Sequence, residues 1–210
     1  MQLLSATPSP YARKVRITLA EKSIPFTLLT EVPWNHDASA PRYNPLEKIP
    51  VLILDDGSTV YESRFILEWL EIKFPEPALF PKDPDALLAA RQLEVLADAI
   101  CDAFVLASFE RRRPEDKRSQ PWLDRQLRKI NGGLREVARL VPHSGYCVGG
   151  RFGLADIAVG SMLGFLALRG PEINWPGEYP HLASLYARLM GRPSFASTTP
   201  VAQDIEKSVV

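Results

Sequence analysis

"IPVLILDDGSTVYESRFILEWLEIKF", residues 49–74, joins an apolar run, a turn and a second short β-rich run to an amphipathic helix. Asp55-Asp56-Gly57-Ser58 is turn chemistry between "IPVLIL" and "TVY", so the two runs read as a β-hairpin. "SRFILEWLEIKF" then places Ile66, Leu70 and Phe74 on one inward helical stripe. Upstream, "QLLSA" reads as a short buried strand. The helix after Ser9 carries Tyr11, Val15 and Leu19 on a single face, and "PFTLLTEV" is a second strand. Such a βαβ unit is expected to be parallel and right-handed. The order is β-α-β, then β-β-α, with a polar, proline-punctuated loop from Pro33 to Lys48 between the halves.

Downstream the composition changes. "FPEPALFPKDPD" carries Pro75, Pro77, Pro81 and Pro84, which exclude a continuous helix or a central strand and make a stiff connector. Beyond Asp85 every periodic stretch is helical. "DALLAARQLEVLADAICDAFVLASFERRR" is one long helix or a kinked pair. "PWLDRQLRKINGGLREVARL" has a weak point at Gly132-Gly133, and "LADIAVGSMLGFLALRG", apolar almost all round, belongs at the centre of its domain. "PHLASLYARLMGRPSF" is another helix, stopped by Gly191 and Pro193. The expected division is an α/β domain over residues 1–78, a proline-rich linker over 79–85 and an all-α bundle over 86–210.

Composition narrows the function. The 25 basic residues equal the 25 acidic ones, so no global field recruits nucleic acid or an anionic membrane. No stretch is apolar for long enough to span a bilayer, and "MQLLSATPSP" lacks the charged start and apolar run of a secretory signal, so the chain is expected in the cytoplasm. Cys101 and Cys147 are too few and too isolated for a disulfide scaffold, a zinc cage or a C-x-x-C pair. His36, His143 and His181 lack ligand spacing, and no metal is expected.

Three places carry chemistry. Ser9, followed by Pro10, sits between a strand end and a helix start, where unpaired N–H groups and the positive end of the helix dipole can hold an anion. The same two residues also make an ordinary helix start. Ile49-Pro50 heads a strand with a residue that donates nothing to the ladder, leaving backbone groups able to pair with an extended peptide; a plain strand-entry proline reads the same way. Glu62-Ser63 opens the next helix with a carboxylate, a hydroxyl and free amides, which suit the two ends of an α-amino-acid group or an unliganded helix N-terminus. Together they describe a ligand with a thiol or oxyanion, a peptide backbone and a zwitterionic head. Glutathione has those parts.

"SPYARKVRITL", "NPLEKIPVLILDDG", "VYESRFILEWL" and "FGLADIAV" resemble the cytosolic glutathione S-transferases, of the bacterial serine type, over nearly the whole chain. The resemblance implies a thioredoxin-like N-terminal domain, an all-helical C-terminal domain, a homodimer, and conjugation of glutathione, as co-substrate, to a small electrophile, the chemistry of detoxification. It implies that Ser9 stabilises the glutathione thiolate, that Ile49 makes backbone bonds to the cysteinyl part beside a cis Pro50, and that Glu62 and Ser63 hold the γ-glutamyl end. Lys48 would face the glycyl carboxylate, with Asn35 and His36 competing for that role. "SPYA" is similar to the "CPYC" of glutaredoxins with both sulfurs gone, so dithiol exchange through it is excluded. A thiol of pKa near 8.5 is about 3% ionised at pH 7, and lowering it by about two units takes roughly 2.7 kcal/mol. One hydrogen bond to the anion plus a helix N-terminus is of that order.

Two other readings share these residues: a transferase-like scaffold that binds a protein partner, and a reductase or isomerase that uses glutathione as a cofactor. The sequence departs from the family at Gly153, where a serine or threonine usually caps the helix of "GLADIAV". Asp156 can still reach back to the Gly153 N–H, with Phe152 and Ile157 as the hydrophobic staple. The lost cap should cost a few tenths of a kcal/mol. "ERRRPEDKR", residues 110–118, reads as a solvated helix end of balanced charge, with Arg111 and Arg112 able to project toward the cleft. The second pocket is expected between the 33–48 loop, the long helix from Phe104 to Arg112 and the C-terminal segment.

Overall fold

The computed structural model describes residues 1–206. Strand β1 (Gln2–Ser5) leads into helix α1 (Pro10–Glu21) and strand β2 (Thr27–Thr30). The short helix α2 (Ala40–Tyr43), strands β3 (Val51–Ile53) and β4 (Thr59–Tyr61) and helix α3 (Ser63–Lys73) follow. The sheet order is β2-β1-β3-β4, parallel between β1 and β2 and antiparallel elsewhere. Alternation along each strand splits the apolar residues between two faces. Leu3, Leu52 and Val60 join the main core with Val15, Leu19, Ile66 and Leu70. Leu4, Val51 and Ile53 form a smaller cluster with Ala40 on the other face. Phe74 ends α3 as its C-cap and is only half-buried, as is Tyr11.

The helical part comprises α4 (Pro84–Arg112), α5 (Gln120–Leu140), α6 (Leu154–Arg169), α7 (Trp175–Glu178), α8 (Pro180–Met190) and α9 (Pro193–Ala196). Helix α6 is buried at every residue from Leu154 to Leu166, as its all-round apolarity requires, and packs on α1, α4 and α8. Helix α4 is unbroken. Helix α5 runs unbroken through Gly132-Gly133, and the expected weak point is a contact instead: a Cβ on Gly133 would lie 2.6 Å from Ile100 Cγ1 of α4. Gly153 also has a packing reason. Its missing Cβ would stand 2.5 Å from the Leu79 carbonyl oxygen, which accepts the Leu154 N–H at 2.9 Å. A side-chain cap is therefore sterically excluded there, and Asp156 accepts the Gly153 N–H at 3.0 Å and the Cys147 N–H at 2.9 Å.

Helix α1 is more deeply buried than its charge suggests, because α3, α6 and α9 all pack on it. Arg13, Lys14 and Arg16 are buried along with Val15, Ile17 and Leu19. Lys14 Nζ reaches Asp98 at 2.8 Å and Glu94 at 3.3 Å on α4, and Arg64 Nε of α3 donates to the same Asp98 at 2.8 Å. The Arg13 guanidinium occupies space left by Gly164 on α6 and donates to the Phe195 carbonyl at 3.2 Å. Lys22 Nζ donates to the carbonyls of Phe74 and Pro77 at 2.7 and 2.9 Å, tying the proline-rich connector to α1. Buried charges persist only when each is paired or solvated by backbone acceptors, and these contacts supply that for Arg13, Lys14 and Lys22, while Arg16 Nη2 reaches the Thr7 and Thr198 carbonyls at 3.5 Å. Among the described residues no helix is long and apolar enough to cross a membrane.

Candidate functional site

The strand register brings the three predicted places together. Val51, the first residue of β3, lies opposite Leu4 on β1 and opposite Tyr61 on β4. The exit of β1 toward Ser9, the entry of β3 at Ile49-Pro50 and the exit of β4 into Glu62-Ser63 therefore share one end of the sheet. Parallel pairing places the exit of β2, and the loop after it, at that end as well.

Ser9 is the N-cap of α1 with an extended backbone, and its Oγ accepts the Ala12 N–H at 3.2 Å. Pro10 has no N–H, and the Arg13 N–H goes to the Ser9 carbonyl, which leaves the Tyr11 amide uncommitted among the described residues. A capping hydroxyl accepts through a lone pair and keeps its own proton. Cap and anion donor are thus compatible in one side chain. The neighbouring hydroxyls are otherwise placed: Thr7 Oγ1 donates to the Val201 carbonyl at 2.9 Å, and Ser5 Oγ is buried within β1 without a partner. The Tyr11 phenol donates to Asp102 on α4, and burial, with Cys101 and Asp102 adding to it, pushes its pKa well up. It stays neutral and committed to α4.

Glu62 holds φ 72° and ψ 118°, a left-handed backbone that costs a non-glycine residue about 1–3 kcal/mol. The carboxylate accepts the N–H groups of Ser63 and Arg64 at 3.1 and 3.3 Å. Ser63 Oγ beside it is buried with no hydrogen-bond partner. The Ile49–Pro50 peptide is cis, and the Ile49 N–H and C=O make no hydrogen bond among the described residues. Lys48 has an exposed side chain, while its carbonyl accepts from Asn44 Nδ2 at 2.7 Å. His36 is exposed, and Asn35 Oδ1 accepts the Glu206 N–H at 3.2 Å.

Helix α4 crosses this end of the sheet, as the Tyr11–Asp102 and Arg64–Asp98 contacts show, and continues to Phe109, whose ring lies 4.4 Å from that of Trp34 in the loop after β2. The C-terminal segment closes the other side: Gln203 Nε2 donates to the Glu31 carbonyl at 3.4 Å and the Gln203 carbonyl accepts from Arg169 Nη2 at 3.2 Å. Phe104 does not line this space. It is a core residue, edge-on to Phe165 at 5.3 Å. A groove of about 450 Å³ runs between α4 and α5, lined by Leu96, Asp102, Ala103, Leu106 and Gly132 among others; it shares Asp102 with the sheet end, but Ser9, Ile49, Pro50, Glu62 and Ser63 do not border it. No cluster of three metal-ligating side chains exists among the described residues.

Residues 8–72 match the family description "Glutathione S-transferase, N-terminal domain", and residues 120–188 match "Glutathione S-transferase, C-terminal domain". The chain belongs to the glutathione S-transferase family. A crystal structure of a glutathione S-transferase from Methylobacterium radiotolerans, in complex with glutathione sulfonate, superposes with a TM-score of 0.96 at 59% identity, covering 98% of this chain and 97% of that one. The uncharacterized GST-like protein YibF of Escherichia coli is 37% identical over 95% of this chain and 98% of its own. Maleylacetoacetate isomerase of Pseudomonas aeruginosa is 29% identical over 97% of each chain. This glutathione S-transferase family member thus has the expected thioredoxin-like sheet and helical bundle. The segments expected to line the second pocket contain Trp34 and Phe109 without singling them out, and sequence reasoning missed Asp102 and Arg169 as neighbours of the cleft. A tryptophan isolated in a polar loop was the one local signal among these four.

Proposed function

We propose that the protein binds glutathione at the sheet end and uses its thiolate against a small electrophile. The observation that carries this is the convergence there of uncommitted polar groups: the Tyr11 N–H, both backbone groups of Ile49, and Ser63 Oγ. The glutathione sulfonate held by the Methylobacterium relative supports the ligand. In this reading Ser9 Oγ donates to the sulfur, Ile49 pairs with the cysteinyl backbone beside Pro50, Glu62 takes the γ-glutamyl ammonium and Ser63 its carboxylate. Lys48 supplies the cation nearest the glycyl end. The left-handed backbone at Glu62 fits a residue held for binding.

The thiolate needs no base once its pKa is lowered: sulfur forms a C–S bond to the electrophilic carbon, and the leaving group departs with its electron pair. Residues 1–78 carry glutathione, residues 79–85 connect, and residues 86–210 supply the electrophile side. Buried thiols at Cys101 and Cys147 suit the reducing cytoplasm in which the protein is expected to work. Leu88, Val95 and Leu106 on α4, with Phe65 and Ile72 on α3, are exposed apolar residues at helical spacing and are proposed as the seam of a homodimer.

Calorimetric titration with glutathione, followed by conjugation assays, tests the reading. Ser9→Ala should keep most of the glutathione affinity, raise the bound thiol pKa by about one to two units and lower kcat/KM at neutral pH about tenfold or more. No binding at millimolar glutathione would sink the proposal and leave the scaffold reading. The isomerase relative makes glutathione-dependent isomerisation the second reading; it is separated by whether glutathione is consumed.

A further inference from the structure

We infer that the electrophile half of the cleft takes a substrate bearing a carboxylate or equivalent anion, received by Arg112 and Arg169 beside the Trp34–Phe109 pair. The inference rests on the glutathione-conjugating reading and names its substrate class. Among the arginines that end α4, Arg111 pairs with Glu172 at 3.0 Å and Arg113 with Glu110 at 3.5 Å. Arg112 has no ion pair among the described residues. The Arg111–Glu172 contact pins the end of α4 against the turn that follows α6, whose last residue is Arg169. Arg169 is half-buried and, among the described residues, also lacks an ion pair and makes one hydrogen bond, to the neutral Gln203 carbonyl.

Burial and the nearby Arg112 charge both lower the Arg169 pKa, while Asp204 of the C-terminal segment acts against them without coming into ion-pair contact. Two guanidinium groups that repel each other, one of them partly removed from water, are costly in a chain whose charges otherwise balance. Each could serve the carbonyl end of its own helix. That accounts for neither their convergence nor their place. Thr7 binds the Val201 carbonyl and Arg169 the Gln203 carbonyl, and two residues of extended chain span at most about 7 Å. Phe109, one turn before Arg112, meets Trp34 over the same space. The arrangement is an aromatic wall with a cationic end: a flat electrophile stacks against the Trp34–Phe109 pair, its reactive carbon toward Ser9 and its carboxylate on the two guanidinium groups.

The test uses 4-chloro-3,5-dinitrobenzoate and its methyl ester with glutathione. In both, sulfur forms the new C–S bond and chloride leaves with the electron pair of the broken C–Cl bond. Each kcat/KM is divided by the spontaneous rate with glutathione, and the carboxylate-over-ester ratio is compared for the wild type, Arg112→Gln and Arg169→Gln. The expected result is a ratio above one in the wild type that falls about tenfold in each variant and declines with added salt. A ratio equal in all three proteins, with glutathione still bound and the ester still conjugated, overturns the inference and leaves the transferase reading intact. Calorimetry with unreactive 3,5-dinitrobenzoate reads the arginine pair without chemistry. If glutathione does not bind while dinitrobenzoate binds the wild type about tenfold more tightly than either variant, the anion site stands and the transferase reading falls.

Discussion

Glu62 does two jobs that a single substitution separates. Its oxygens cap α3 by accepting the Ser63 and Arg64 N–H groups, and its charge is the proposed partner of an ammonium. Glu62→Gln keeps an oxygen for the cap and removes the charge. We expect a melting temperature within a few degrees of the wild type and a glutathione Kd about tenfold weaker, read by calorimetry. Gly153 gives the opposite kind of test. On capping preference alone, Gly153→Ser should add a few tenths of a kcal/mol. The Leu79 carbonyl 2.5 Å from the new Cβ reverses the sign, and we expect a loss of about 1–3 kcal/mol in urea unfolding.

At the scale of elements, α1 is the piece on which the others depend. Its Lys14 is held by Glu94 and Asp98 of α4, themselves also held by Arg91 and Arg64. Lys14→Met leaves two buried carboxylates short of one cation, and a loss of about 3 kcal/mol in unfolding free energy is expected from urea denaturation, the lower end for a broken buried pair because the arginines remain. At the other end of α1, Glu21 accepts from Arg192 at 2.7 and 3.0 Å and from Ser194. Burial would raise the Glu21 pKa, but Arg192 and Ser194 outweigh it and hold the carboxyl below its ordinary 4.5. A depressed folded-state pKa means that the native state binds fewer protons than the unfolded one, so the contribution is fully present above about pH 4.5 and fades as pH falls through the folded value. The stability gap between wild type and Glu21→Gln should therefore be constant from pH 7 to about 5 and close on further acidification, as measured by unfolding at successive pH values.

For the whole molecule, the question is what covers the outer face of α3 and α4. Leu88 and Ile72 are 68% and 77% exposed, and Val95 and Leu106 continue the same apolar line along α4 beside the groove toward α5. The proposed homodimer would take this face out of water. Light scattering should give twice the chain mass for the wild type and one chain mass for Val95→Glu. A monomeric wild type at micromolar concentration would exclude the homodimer.

The element order, the hairpin, the central helix and the sheet-end residues were legible in the sequence. Turn chemistry, apolar periodicity and helix starts are local, and Ser9, Ile49-Pro50 and Glu62-Ser63 each sit at the beginning of an element. Only the tertiary structure decided that those beginnings meet, because strand register places residues 5, 49 and 62 at one end of a sheet. It alone decided that Lys14 is buried, since a lysine goes inside only where carboxylates about eighty residues away are delivered to it. The same holds for Gly133 and Gly153, whose missing side chains answer to Ile100 and Leu79, and for the end of α4 and the turn after α6, joined by Arg111 and Glu172. Apolar patterning says which faces are covered. Which polar group covers which is set by contacts between residues far apart in the chain.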